Sequence, residues 1–156
     1  MPQRRIPMKI IVLLTIFIST TQAQEKFAMM QTMTPNLMVH DVNKTVEYYT
    51  DVLGFEFVMS VPDSGQLDWA MMKNGAVEIM FQSVPSLAKD VSVLAGLKPG
   101  GAFTLYTRVA DVKALHAKVK GRATIVHDLT TTFYGMEEFT IEDLNGYYLT
   151  FATPVK

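Results

Sequence analysis

From Thr34 onward, the chain alternates between segments with a two-residue apolar period and segments with a helical period. PNLMV alternates as a strand does, and Asp41 follows it as a helix N-cap. Apolar residues then recur at helical spacing at Val42, Val46, Tyr49, Val52 and Leu53. Gly54 stands where a helix ends, and the strands FEFVMSV and QLDWAMM follow. Asn74-Gly75 then precedes AVEIMFQ, which predicts a hairpin.

The second half of the chain repeats this order. AFTLYTRV alternates, Asp111 caps a helix that ends at Gly121, and the strands ATIVHD and EEFTIED follow. Asn145-Gly146 then turns into YYLTFA. The two capping aspartates are 70 positions apart and the two Asn-Gly pairs 71. We therefore predict an internal duplication of a strand–helix–three-strand unit, joined by a connector that has room for a short helical turn.

The N-terminus has the pattern of a secretory signal. Arg4, Arg5 and Lys9 precede an apolar run over residues 10–18, and small or polar residues lead to Ala23. The run is too short for a membrane-spanning helix, and Met8 would serve equally well as the start. We predict a cleavable signal peptide at 1–23 and a single domain at 30–153, with modules at about 33–83 and 101–153 and a linker at about 84–100. The mature protein is then periplasmic or secreted.

Composition and charge narrow the classes of partner. The chain is 49% hydrophobic and 19% charged, as is typical of one globular domain. Without residues 1–23, eleven basic and fifteen acidic residues remain, a net charge of −4. This disfavours nucleic acid as a partner, and we expect no membrane association after signal cleavage. The chain has no cysteine, so we expect it to fold without disulfides or cysteine acylation.

Two longer motifs carry a family resemblance. LMVHDVNKTVEYYTDVLGFEF resembles the opening of the vicinal oxygen chelate superfamily, which includes glyoxalase I, extradiol dioxygenases and bleomycin-resistance proteins. YGMEEFTIEDLNGYYLTF resembles its closing hairpin, with Leu144 where a proline is usual. The resemblance covers residues 34–152. It implies an α+β fold of two βαβββ modules that form a cupped eight-stranded mixed sheet with helices outside, and it implies a homodimer.

Strand alternation divides the side chains between the helices and the cup. The side chains expected to pack under the helices are Leu37, Val39, Val77, Ile79, Phe81, Phe103, Leu105, Val109, Tyr147, Leu149 and Phe151. Those expected to face the cup are Thr34, Asn36, Met38, His40, Glu78, Met80, Gln82, Thr104, Tyr106, Arg108, Tyr148 and Thr150.

The resemblance also implies four positions for metal ligands. Aligned on the aspartates and the Asn-Gly turns, these positions fall on Thr34, Glu78, Thr104 and Thr150. A neutral hydroxyl is a poor ligand for a first-row divalent ion, which prefers imidazole or carboxylate. The three histidines do not replace the missing ligands, because His116 is expected on an outer helix and His40 and His127 near strand ends. We therefore expect neither a metal ion nor another cofactor.

The favoured function is binding of a small aromatic or amphipathic molecule inside the cup. The predicted ligand-binding residues are Asn36, Met38, Met80, Thr104, Tyr106, Arg108, Tyr148 and Thr150, and Glu78 is the catalytic candidate. Alternatively, Glu78 is only a solvated carboxylate or a partner of Arg108. A metal-dependent lyase or dioxygenase using Zn²⁺, Ni²⁺ or Fe²⁺, a metal-free isomerase with Glu78 as base, and an exported partner-binding domain remain the other readings.

Overall fold

The computed structural model describes residues 30–155, and the predicted signal peptide lies outside this range. The first module consists of β1 (Asn36–Val39), α1 (Val42–Asp51), β2 (Glu56–Val61), β3 (Trp69–Asn74) and β4 (Val77–Ser83). The connector contains α2 (Val84–Asp90) and a 3₁₀ turn (Ser92–Leu94). The second module consists of β5 (Thr104–Arg108), α3 (Val112–Val119), β6 (Thr124–Thr131), β7 (Met136–Glu142) and β8 (Tyr148–Pro154). The predicted α+β fold of two βαβββ modules is confirmed.

Each module contributes one four-stranded mixed sheet. The orders are β1-β4-β3-β2 in sheet A and β5-β8-β7-β6 in sheet B, and in each the first strand pairs in parallel. The strands thus form two hydrogen-bonded sheets of four. Leu37 lies opposite Phe81 in one sheet and Thr107 opposite Phe151 in the other. Both registers are related by a shift of 70 residues, so the duplication read from the sequence holds in the structure.

The predicted caps fix where the helices of the modules begin. The Asp41 carboxylate accepts the Lys44 N–H at 3.1 Å, and the Asp111 carboxylate accepts the Ala114 N–H at 2.9 Å. Gly54 follows α1 with φ of 72°, a left-handed conformation that glycine adopts without steric cost. The polypeptide therefore turns from each strand into its helix at the positions that the sequence indicated.

The helices cover one face of each sheet. Tyr49 of α1 packs on Phe81 of sheet A, with ring centroids 4.5 Å apart, and His116 of α3 packs on Phe139 of sheet B at 5.0 Å. We call the opposite face of each sheet the cup face. Two residues predicted to pack beneath the helices are partly exposed, Val77 at 39% and Phe103 at 46%. Val77 begins β4, beyond the residues that pair with β1, and Phe103 precedes β5.

Buried polar contacts join the modules at the β7–β8 turn. The Tyr49 hydroxyl donates to Asp143 Oδ2 at 2.9 Å, and Asn145 Nδ2 donates to Thr45 Oγ1 at 3.0 Å. The Asn145 side chain also accepts the His40 N–H at 3.4 Å. Because these contacts are made to α1 and to the end of β1, the turn of module two fixes the position of module one. Within residues 30–155, no helix is long and apolar enough to span a membrane.

Candidate functional site

The cup face of sheet B presents a row of polar and aromatic side chains. Across the sheet, Tyr106 lies opposite Thr150, Thr150 opposite Thr140, and Thr140 opposite His127. Thr140 and Thr150 share a hydrogen bond of 2.9 Å between their hydroxyls, and Thr150 is buried. Tyr106 is 49% exposed. His127 lies within β6 and not near its end, which corrects the expectation from the sequence.

The carboxylate of Glu138, which the sequence did not indicate as a site residue, binds the hydroxyls of two tyrosines on this face. The Tyr134 hydroxyl lies 2.9 Å from both oxygens of Glu138, and the Tyr106 hydroxyl donates to Glu138 Oε2 at 3.4 Å. The hydrogen bond to Glu138 raises the pKa of Tyr134. Desolvation, followed by the charge of Glu138, raises the pKa of Tyr106. Alternation in EEFTIED would have placed Glu138 on the polar side of β7, but nothing in the sequence pairs it with the tyrosines.

Helix α2 lies against the cup face of sheet A. Gln82 Nε2 donates to Ser86 Oγ at 2.9 Å and to Asp90 Oδ2 at 2.7 Å, while Gln82 Oε1 accepts from Asn36 Nδ2 at 2.7 Å. Gln82 and Met38 are buried at 5% and 7% exposure. Of the predicted ligand-binding residues of module one, Met38 is therefore buried away from a ligand, and the Asn36 side chain is hydrogen-bonded to Gln82. Met80 is half-buried.

An open cleft of about 430 Å³ lies where the two sheets meet. It brings together four residues that the sequence predicted for the site: Glu78 of β4 and Thr104, Tyr106 and Arg108 of β5. Glu78 and Arg108 are both exposed. The ion pairs found among residues 30–155 do not join Glu78 to Arg108, so the partner role considered for Glu78 is not seen.

Among the four positions aligned with metal ligands, the registers set Thr150 apart from Glu78 and Thr104. With the shift of 70 residues, Glu78 corresponds to Tyr148, and Thr150 corresponds to Met80. The two Asn-Gly turns differ in length by one residue, since Asn74 pairs with Val77 across two residues, whereas Asp143 bonds Tyr147 across three, so the turns do not share the 70-residue shift of the strands. Thr150 is absent from the lining of the cleft that contains Glu78 and Thr104.

The donor set does not fit a metal ion. Thr34 lies before β1, and the side chains beside Glu78 in the cleft offer hydroxyls and a guanidinium rather than imidazole or carboxylate. In the part of the chain that the structure describes, no three His, Asp or Glu side chains form a metal-binding group. His116 is engaged elsewhere, since its Nε2 lies 2.7 Å from Asp128 Oδ1.

Comparisons with known proteins bear on the fold and the family. The profile of the Glyoxalase/Bleomycin resistance protein/Dioxygenase superfamily matches residues 29–151. Similar solved structures include TioX from Micromonospora sp. ML1, at 18% identity and a TM-score of 0.63, covering 80% of this chain and all of TioX. A glyoxalase/bleomycin resistance protein/dioxygenase from Nocardioides aligns at 14% identity and a TM-score of 0.68, covering 83% of this chain and 87% of that one.

A glyoxalase/bleomycin resistance protein/dioxygenase family enzyme from Burkholderia phytofirmans PsJN aligns at 17% identity and a TM-score of 0.65, covering 77% of this chain and 95% of that one. No curated protein matches the sequence. At these identities the solved structures establish the fold alone. Because the family profile spans most of the chain, the protein belongs to the Glyoxalase/Bleomycin resistance protein/Dioxygenase superfamily.

Proposed function

We propose that this protein is an exported, metal-free binding protein that holds a small aromatic or amphipathic molecule in its cup. The observation that carries the proposal is the cleft of about 430 Å³, which combines the ring of Tyr106 with the hydroxyl of Thr104 and the charges of Glu78 and Arg108. Small-molecule sites are typically clefts of this size, with an apolar lining and a few polar groups. The half-exposed ring of Tyr106 offers a planar ligand a surface on which to stack.

Binding of planar compounds to purified protein tests this proposal. We expect saturable binding that weakens in Tyr106→Ala, because the variant loses the stacking surface without removing buried packing. Leu144→Ala is a matched control, since Leu144 is 46% exposed and lies in the β7–β8 turn, outside the cleft. Equal losses in the two variants, or no saturable binding by the wild type, would contradict the proposal.

The absence of a metal ion is part of the proposal and has its own test. The hydroxyl-rich donor set around Glu78 supports it. Metal analysis of protein purified without chelators is expected to find no stoichiometric transition metal. One ion per chain, lost in Glu78→Ala, would instead favour the alternative of a metal-dependent lyase or dioxygenase.

A metal-free isomerase is a second candidate, and the exposure of Glu78 within the cleft favours it. A carboxylate that is not held in an ion pair is available to accept a proton from a bound molecule. Solvent deuterium would then enter a bound carbon acid in wild-type protein and not in Glu78→Gln. No exchange in either protein would leave Glu78 without a catalytic role.

Export and self-association complete the proposal. N-terminal sequencing of the protein from a cell envelope or culture fraction is expected to begin at Gln24. For a homodimer, support comes from β2, an outer strand whose exposed apolar residues are Phe57, Val58, Met59 and Val61. Such an edge is open to pairing with another chain. Light scattering that gives the mass of one chain at micromolar concentration would contradict the dimer.

A further inference from the structure

A second cleft lies on the helix side of the junction between the modules. Its volume is about 320 Å³, and most of its walls are apolar. The apolar lining residues are Leu53, Phe55, Val77, Val109, Ala110, Leu115, Leu149 and Phe151. The cleft of about 430 Å³ that contains Glu78 and Tyr106 is called here the cup-side cleft. The two clefts adjoin across the same side chains, because both are lined by Phe55, Val77, Thr107, Arg108 and Leu149.

The opening exists because the modules close their junctions differently. In module two the connector covers the start of β8, since Phe103 packs on Tyr147 with ring centroids 5.7 Å apart. The corresponding residue of module one, Val77, remains 39% exposed. Asn74 donates to the carbonyls of its own module, at Leu53 and Gly54, each at 3.2 Å. The turn of module one therefore leaves the junction beside β5 open.

Arg108 is the cationic side chain common to both clefts. It is exposed, and the ion pairs found within residues 30–155 do not include it. The nearby Asp111 carboxylate is engaged as the cap of α3. A guanidinium binds a carboxylate through two parallel hydrogen bonds. Glu78 lines the cup-side cleft as well, and its negative charge disfavours a ligand with a second charge of the same sign.

We propose that the ligand is an amphipathic monocarboxylate whose carboxylate binds Arg108 in the cup-side cleft, while its apolar body extends from the ring of Tyr106 past Val77 into the helix-side cleft. This inference rests on the proposed function, because it names the class of molecule for the same cup. The uncharged part of the ligand occupies the helix-side cleft. Arg108 determines the head group, and Glu78 excludes phosphate esters.

Calorimetry on the purified full-length mature protein with 1-naphthoate, 1-naphthamide and 1-naphthyl phosphate tests the head group. We expect wild type to bind the carboxylate about tenfold more tightly than the neutral amide and the phosphate, as the loss of one charge-assisted pair implies. Arg108→Met should abolish the preference for the carboxylate over the amide. Arg122→Met, a change of the same type outside both clefts, should keep the wild-type preference.

Val77→Trp tests the route between the clefts. Val77 is partly exposed at the start of β4, so the larger side chain fills cleft space rather than the core. We expect the affinity for naphthoate and naphthamide to fall together, by about tenfold, with their ratio unchanged. An unchanged affinity in this variant, or equal affinities for carboxylate and amide in wild type, overturns the inference while leaving cup binding intact. Failure of all planar compounds to bind overturns the proposed function as well.

Discussion

Replacing Tyr49 by phenylalanine removes one hydroxyl from the contact between the modules and changes little else. Tyr49 is fully buried, and its hydroxyl donates to Asp143 Oδ2 at 2.9 Å. Asp143 Oδ1 already accepts the N–H groups of Asn145 and Tyr147 at 2.8 and 2.9 Å. In Tyr49→Phe, Oδ2 loses its hydrogen-bond donor in a residue that is only 5% exposed. The folded state then holds a buried carboxylate oxygen with reduced hydrogen bonding.

The expected cost follows from the charge on the acceptor. A hydrogen bond to a charged group contributes about 1.5–3 kcal/mol, so we expect the free energy of unfolding to fall by about 2 kcal/mol. In a domain of this size that corresponds to a drop of roughly 6–10 °C in the melting temperature. Urea unfolding followed by circular dichroism and by the fluorescence of Trp69, the one tryptophan of the sequence, measures the change.

The neighbouring tyrosine provides the control. Among the described residues, the Tyr48 hydroxyl is buried without a hydrogen-bond partner. Burial, followed by the charge of Asp143, raises the pKa of Tyr48 to about 12. Tyr48→Phe removes a desolvated hydroxyl that forms no bond, so its stability is expected to equal or exceed that of wild type. Equal destabilisation by the two substitutions, or a loss below about 0.5 kcal/mol in Tyr49→Phe, would refute the hydrogen bond as a source of stability.

The remaining predictions concern the same turn and its counterpart. Burial raises the pKa of Asp143, so its stabilising contribution is present below the unfolded pKa and is lost as pH rises through the folded pKa. The free energy of unfolding of wild type, relative to that of Asp143→Asn, should therefore rise as pH falls. A difference between the two proteins that stays constant across the acidic range would contradict this. Asn145→Ala should cost about 1–2 kcal/mol because it breaks the contact with Thr45, whereas Asn74→Ala, at an exposed turn, should cost clearly less. Chemical denaturation compares the pair, and equal losses would count against the asymmetry of the two turns.

Periodicity predicted the elements well because strands and helices bury one face. The repeat of Asp41 at Asp111 placed the starts of both helices and set the shift of 70 residues, while Gly54 and Gly121 marked where the helices end. The Asn-Gly turns were less reliable for locating equivalent positions along β4 and β8, because one turn has an extra residue. Tyr148, two positions before Thr150, occupies the position paired with Thr104. A single insertion in a turn is invisible to alternation within the strand that follows.

The candidate site was harder to predict, because alternation indicates which face a side chain occupies but not what covers that face. Met38 was correctly placed opposite the helix-covered face, yet α2 returns over it through the contacts of Gln82. The association of Glu138 with two tyrosines depends on a loop that carries Tyr134 back over β7. Both features arise from tertiary contacts between segments whose individual patterns are ordinary.

The difference between the two turns accounts both for the buried contacts that stabilise the domain and for the open cleft beside Val77. In module two, the longer turn provides Asp143 and Asn145 as partners for α1, and the connector covers the start of β8. In module one, the shorter turn makes contacts within its own module and leaves Val77 beside an unfilled cleft. A duplicated fold with identical turns would close both junctions or neither. The buried polar contacts that join the modules lie at one junction, and the other keeps an open, mostly apolar cleft of the kind that small-molecule sites use.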